Sequence, residues 1–283
     1  MENIRLQPIT YNQINMSQAE DYQLKVEDLH LSFGGLNALS GVTTGVKKGE
    51  IFSIIGPNGA GKTCLLNCIN SFYQPDRGKV IFEGRDITDL KAHRIATLGI
   101  ARTFQNVELF AHMTVLDNIK LGGHVHLKSG VFSGGIYYGK ARREEMAFRK
   151  HIEEKIIDLL EIEHIRKQPV HTLPYGLQKR VELARALAMR PRILLLDEPC
   201  AGMNLEETED IARFVLDINE EWDVTIILIE HDMGVVMDIS DRVCVLDFGI
   251  KIAEGDPAII RHNEHVIKAY LGEEDKTYSR LDA

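Results

Sequence analysis

The stretch IFSIIGPNGAGKT, Ile51 to Thr63, decides the fold. Five strand-forming residues, Ile51 to Ile55, run directly into a G-x-x-x-x-G-K-T loop, Gly56 to Thr63, and the residues that follow, Thr63 to Asn70, carry a helical pattern. A glycine-rich turn between strand and helix lets successive backbone N–H groups face inward, where they and the positive end of the helix cradle phosphate oxygens. Gly56, Pro57, Asn58, Gly59, Ala60, Gly61, Lys62 and Thr63 are thus the candidate nucleotide-binding loop. Lys62 is placed to reach the β- and γ-phosphates of ATP, and the Thr63 hydroxyl to ligate Mg²⁺. The competing reading, a plain turn, does not explain the placement between strand and helix.

Working outward, Leu24 to Leu31 and Leu36 to Val46 read as strands set off by Gly34-Gly35 and Lys47-Lys48-Gly49. The first twenty or so residues, rich in Asn and Gln, read as a loosely ordered extension. From about Thr114 to Leu173 the pattern is mostly helical, with one glycine-containing break at Ser129 to Lys140 that holds Tyr137 and Tyr138. That break is open to two readings, a mobile surface insertion or a contact loop. Strands then alternate with helices again at Arg192 to Leu196, Val224 to Glu230 and Arg242 to Asp247, which makes the helical block an insertion in one α/β fold.

A second chemical signal is ILLLDEP, Ile193 to Pro199. Four apolar residues form a buried strand ending in two carboxylates. Asp197 is placed to hold Mg²⁺, directly or through water, and Glu198 to act on the attacking water. The alternative, a strand ending in a solvated acidic turn, is weakened by the phosphate loop upstream. Gln105, in ARTFQN, and His231, in LIEHDM, are further groups suited to orienting water and stabilising charge. Alone, each would be read as structural; their weight comes from the ordered set.

Composition sets limits. With 283 residues, 44% hydrophobic and 27% charged, the chain has material for a large core. A net charge of −9 argues against a protein that coats nucleic acid. Cys64, Cys68, Cys200 and Cys244 lack a paired C-x-x-C spacing, which fits a reducing compartment. Cys64 and Cys68 lie four apart on the predicted helix; packing under a sheet is the favoured reading over a metal site. The start lacks a secretory h-region, and the longest apolar runs are strand-sized, far short of the ~20 residues of a bilayer helix. The expectation is a soluble chain, or one held at a membrane by another protein.

The phosphate loop, Gln105, LPYGLQKRVELARAL at Leu173 to Leu187, ILLLDEP and His231 occur in the order and approximate spacing of the ABC transporter ATPases, which the chain resembles from about Leu24 to Gly272. The resemblance implies an α/β fold: a P-loop NTPase ABC cassette with a RecA-like mixed sheet core, an antiparallel β subdomain and an inserted α-helical subdomain at about 106–190. One domain would span 23–272, between an extension, 1–22, and a tail, 273–283. It implies further that two cassettes dimerise head to tail, ATP lying between one phosphate loop and the partner's signature segment, here including Tyr175 and Gly176. By the same resemblance Gln105 senses the γ-phosphate, belongs to the metal site and couples to the membrane domain, while His231 contacts the γ-phosphate. An aromatic upstream of the loop would stack on adenine; Phe33 is the candidate, and a core role for it stays open.

Three stretches resemble more narrowly the larger ATPase of branched-chain amino acid uptake systems: LSFGGLNALSGV, ARTFQNVELFAHMTVLDNI and AEGDPAIIRHNEHVIKAYLG. Such importers combine two cassettes, two permeases and a substrate-binding protein, and related systems carry urea, other amides or aromatic acids. The implied place is the cytoplasmic face of the inner membrane, peripheral. Val107, Leu109, Phe110, Met113 and Val115, beside Gln105, divide between an apolar socket for a permease helix and the core of the helical block. The chain departs from the family at Leu173-Pro174-Tyr175-Gly176, where Ser is usual at the second position; proline offers neither hydroxyl nor N–H. Two unequal ATP sites would result if the second cassette keeps its serine, unless backbone amides compensate. Cys64, where Ser or Thr is common, could weaken a bond to the α-phosphate. Rival members of the superfamily fit less well: no sustained heptads mark a chromosome or DNA-repair ATPase, and one phosphate loop argues against a two-cassette translation factor. A lipid or lipopolysaccharide exporter stays open at this stage.

Overall fold

The computed structural model describes residues 22–103, 107–126 and 140–270. Two sheets lie at its centre. A four-stranded antiparallel sheet has the order β2-β1-β4-β5, from β1 (Tyr22–Phe33), β2 (Leu36–Lys47), β4 (Arg77–Phe82) and β5 (Arg85–Asp86). A six-stranded sheet has the order β10-β9-β3-β8-β7-β6, from β3 (Ile51–Ile55), β6 (Ile100–Arg102), β7 (Ile193–Asp197), β8 (Thr225–Ile229), β9 (Arg242–Asp247) and β10 (Ile250–Gly255). Only β10 runs antiparallel in it; β3, β6, β7, β8 and β9 pair in parallel.

Alternation along the central strands explains why they are apolar throughout. In β7, Ile193 and Leu195 join the core shared with the antiparallel sheet, together with Leu24, Val26, Leu65 and Val80. Leu194 and Leu196 face the opposite core, with Val181, Phe214 and Ile152. Both faces are covered, so every β7 residue is buried. Helix α1 (Lys62–Ile69) contributes Leu65, Leu66 and Ile69 to the first core.

Strands β6 and β7 are neighbours in the sheet, so the chain between them is an excursion from the core. It holds α3 (Val115–Gly122), α4 (Lys140–His151) and α5 (Tyr175–Leu187), while α2 (Ala92–Thr97) precedes β6. Thr114 caps α3 by accepting from the Asp117 amide. Between α4 and α5 the backbone is less helical than the sequence pattern suggests. A π-helical turn, Ile152–Ile157, leads into turns with two short 3₁₀ segments, Glu163–Ile165 and Val170–Thr172. Pro169 removes a donor there and biases Gln168 away from helix, and a bridge ties it to Thr114. Further helices are α6 (Leu205–Trp222), α7 (Met233–Ile239) and α8 (Pro257–Arg261), and residues 264–270 are helical as well. Among the described residues, no helix is long and apolar enough to cross a membrane. Gln105 and most of the glycine-containing break, including Tyr137 and Tyr138, lie outside the described residues.

Candidate active site

The carboxyl ends of β3, β8 and β7 lie side by side. Ile54 pairs with Ile229, and Ile229 with Asp197, so three chain segments leave the sheet along one edge. In an open parallel sheet this edge is where ligands bind. The phosphate loop leaves β3, Glu198 leaves β7, and Glu230-His231 leaves β8.

The loop has its shape because of glycine at its start. Gly56 has φ 146°, and a Cβ there would stand 2.0 Å from the Leu246 carbonyl oxygen on β9, so no other residue fits. Lys62, buried to 6% exposure, donates through Nζ to the carbonyls of Gly56 at 2.6 Å and Pro57 at 3.0 Å. Its ammonium therefore lies inside the loop, held by groups a phosphate can replace. Gly61 is the N-cap of α1 and supplies no side-chain acceptor, leaving first-turn amides for an anion. Asn58, Gly59 and Thr63 are exposed, whereas Gly56, Pro57 and Ala60 are buried. Cys64 is half-buried, and burial raises its thiol pKa.

Glu198 sits in the left-handed region at φ 51°. Its amide donates to the Ile229 carbonyl at 2.9 Å, and its Oε1 lies 2.8 Å from Nε2 of His231. The buried Glu230 ties the two loops together: its carboxylate accepts from the Cys200 amide at 2.7 Å and the His231 amide at 3.0 Å. Two residues predicted separately, Glu198 and His231, thus form one hydrogen-bonded pair. Cys200 is buried beside Glu230, and desolvation pushes its thiol far above the ordinary range.

Asp197 is 1% exposed. Its Oδ2 accepts from Arg102 Nη2 at 2.6 Å, while its Oδ1 is buried without a hydrogen-bond partner. An orphaned carboxylate oxygen at this edge, with the exposed Thr63 hydroxyl on the neighbouring loop, is the hard-oxygen chemistry that suits Mg²⁺. The residues present fit the metal.

The signature segment opens α5. Pro174 is its N-cap, with φ −54° and ψ 153°, and no side chain caps the helix. Tyr175 is 43% exposed, with Lys179 Nζ 5.9 Å from its ring centre. Gly176 is buried; a Cβ there would approach Glu207 Oε1 to 2.3 Å, and Glu207 belongs to the capping box that starts α6. Phe33 is 44% exposed at the end of β1 and meets Tyr73 edge-on, centroids 5.1 Å apart. That removes the core reading for Phe33. Of the apolar group beside Gln105, Val115 is fully buried and Leu109 packs on the same core, whereas Phe110 is 56% and Met113 37% exposed.

Three participants were missed in the sequence: Arg102, Glu230 and Tyr73. Arg102 stands within ARTFQN, two residues from Phe104, but an arginine at a strand end gives no hint of its carboxylate partner. Glu230 follows the apolar run of β8 as Asp197 and Glu198 follow that of β7, and that parallel was the available signal.

A parallel sheet with a phosphate loop and a strand ending in Asp-Glu defines a phosphate-loop ATPase. Comparison with known proteins narrows the class. Residues 39–201 match the model of the ABC transporter family. Residues 251–276 match that of the branched-chain amino acid ATP-binding cassette transporters. BraF of Pseudomonas aeruginosa, a high-affinity branched-chain amino acid transport ATP-binding protein, is 43% identical over 88% of this chain and 98% of the relative. LivG of Escherichia coli, named for the same role, is 41% identical over 88% of this chain and 98% of the relative. Among solved structures, the ADP conformation of MJ1267, an ATP-binding cassette of an ABC transporter, superposes with a TM-score of 0.77 at 33% identity, covering 89% of this chain and 99% of that one. The chain belongs to the ABC transporter family, as one of its ATP-binding, ATP-hydrolysing cassettes.

Proposed function

We propose that this chain cleaves ATP with Mg²⁺ to drive uptake of branched-chain amino acids, or a related small polar solute, through separate permease subunits. It works in a pair with a second cassette, served by a substrate-binding protein, as a peripheral subunit on the cytoplasmic face of the inner membrane. The single cassette domain spans 23–272, with the helical subdomain at about 106–190. The observation that carries the catalytic part is the 2.8 Å contact between Glu198 and His231 at the edge where the phosphate loop begins. The names of BraF and LivG, and the match over 251–276 to the branched-chain amino acid cassette model, support the cargo class.

Each residue has a task. Lys62 exchanges its bonds to the Gly56 and Pro57 carbonyls for phosphate oxygens when the triphosphate enters. Backbone amides from Gly59 to Thr63 neutralise the β-phosphate, and Phe33, paired with Tyr73, offers a face to adenine. Thr63, Asp197 and Gln105 would hold Mg²⁺, which when bound would offset charge building on the phosphate oxygens. Glu198 accepts a proton from the attacking water; His231, hydrogen-bonded to it, fixes that carboxylate and meets the γ-phosphate. Tyr175 and Gly176, at the start of α5, face the second cassette's nucleotide, and exposed Phe110 and Met113 face a permease helix.

The test is reconstitution with the permeases and cassette that co-purify with the chain. Leucine, isoleucine or valine, delivered with the binding protein, is expected to accelerate ATP hydrolysis and accumulate inside vesicles. Acceleration by urea or an aromatic acid alone would move the cargo; ATPase activity indifferent to the permeases would sink the transport reading.

A further inference from the structure

Arg102 ends β6 at the carboxyl edge, with its side chain 7% exposed beside an Asp197 side chain exposed to 2%. Its guanidinium does three things at once. Nη2 donates to Asp197 Oδ2 at 2.6 Å, and Nη1 donates to Asn67 Oδ1 on α1 at 2.5 Å. Its Cζ stands 6.0 Å from the centre of the Phe72 ring. Removing two charges from water costs more than packing apolar groups of the same shape, so core stability alone does not account for a pair this buried.

We propose that Arg102 is a positioning residue that sets how strongly Asp197 captures the metal, so that Mg²⁺ is retained only when it arrives with a triphosphate. The inference rests on the reading of Asp197 as a metal-holding carboxylate. Arg102 occupies Oδ2 and fixes the rotamer, leaving the orphaned Oδ1 as the oxygen open to a cation. It also brings a permanent positive charge to the site. A dication meeting a carboxylate already paired with a guanidinium binds more weakly than one meeting a bare carboxylate. That repulsion outweighs the benefit of a fixed rotamer, because charge is screened far less in a buried site than in water while one restricted torsion contributes little. In the nucleotide-free protein the buried Asp197 charge is compensated by Arg102. The negative charge that tips the balance towards the metal comes from the phosphates. Through Asn67 the same guanidinium holds the phosphate-loop helix against β6, so the loop and the metal carboxylate share one anchor.

The experiment is equilibrium binding of a fluorescent, non-hydrolysable ATP analogue to the full chain, titrated with Mg²⁺ from an EDTA baseline. Arg102→Met is expected to lower the Mg²⁺ concentration giving half of the affinity gain by about tenfold, each protein being read against its own affinity in EDTA. Arg102→Gln, which can still hydrogen-bond Asp197 and is the arm to use if the methionine variant fails to fold, is expected to shift the same way. Arg102→Lys, retaining the charge, should titrate like the parent. A merely structural arginine would lower the melting temperature and leave the Mg²⁺ midpoint in place. If both neutral variants need as much Mg²⁺ as the parent, or more, the inference is overturned and the metal reading stands. If the parent's affinity does not respond to Mg²⁺, the metal reading falls and the inference with it.

Discussion

Glu198 holds a left-handed backbone, φ 51°, which costs a non-glycine residue on the order of 1–3 kcal/mol. The surroundings over-determine it: its amide is fixed on the Ile229 carbonyl and its carboxylate on His231. Such strain turns the side chain off the strand axis and aims it at the site. Glu198→Gln keeps the shape and the contact with His231 but cannot accept a proton. The assembled transporter should therefore lose about a hundredfold or more in turnover while nucleotide binding is retained. Single-turnover ATPase measured beside nucleotide binding checks this, and turnover close to the parent's would remove Glu198 from its role. At this scale the sequence was informative wherever function demands a fixed residue order. GPNGAGKT and ILLLDEP were readable because backbone geometry and charge both restrict what can stand there. Arg102 was not readable, because its partner lies 95 positions away and only the pairing of β6 with β7 brings them together.

At the scale of single elements, α5 begins without a side-chain cap. Pro174 suits the N-cap backbone, at φ −54° and ψ 153°, but leaves the first-turn amides to whatever lies opposite. In the proposed dimer that is the second cassette's γ-phosphate, so the helix end keeps some affinity although the proline contributes no donor. Pro174→Ser adds a hydroxyl at the cap. If that group reaches the phosphate, it contributes about 1.5–3 kcal/mol, roughly ten- to a hundredfold in affinity, and raises ATPase in the assembled transporter. An unchanged rate would mean that the amides already suffice. His151, at the end of α4, is a second element-scale case. It lies 6.0 Å from the Trp222 ring on α6, its Nε2 is buried without a partner, and burial, with Arg190 and Lys155 nearby, lowers its pKa. The unfolded chain thus binds the proton more readily, and stability falls as the pH drops below the ordinary 6.5 of histidine. His151→Gln should flatten that loss; parallel urea midpoints at pH 7.5 and about 5.5 would show it, and an identical slope in the variant would refute the assignment. Strands β3, β7, β8 and β9 were legible as apolar runs. Strands β4 and β5 were not, because RGKVIF and RD carry charges and are fixed only by pairing, β4 with β1 and β5 with β4. The turns and short 3₁₀ segments at 160–173 look helical by periodicity, yet Pro169 and the bridge to Thr114 override the pattern.

At the scale of the molecule, two sheets must hold a fixed relation for the phosphate loop and the aromatic of β1 to serve one nucleotide. Shared apolar packing accounts for most of that relation, and it is non-directional; Arg242 adds the direction. From β9 it donates through Nε and Nη2 to both oxygens of Glu50, at 2.7 and 2.9 Å, and through Nη1 to Glu254 on β10, while Nη2 also reaches the Gly45 carbonyl on β2. Its Cζ lies 4.8 Å from the Phe52 ring centre, and these acidic partners raise its pKa although burial opposes them. The antiparallel sheet, the six-stranded sheet and the turn between β2 and β3 therefore meet at one guanidinium. Its fork makes bonds that an ammonium cannot reproduce. Arg242→Met leaves Glu50, 8% exposed, with an uncompensated buried charge, at a cost of about 3 kcal/mol and a fall of roughly 6–12 °C in melting temperature. Adding Glu50→Gln removes the orphaned charge and should recover part of the loss, which separates desolvation from lost packing. Hydrogen exchange in the single variant is expected to rise first in β1 and β2, whose link to β9 is cut, while β7 and β8 stay protected. Uniform loss of protection across both sheets would show that Arg242 supports general stability and does not orient one sheet on the other.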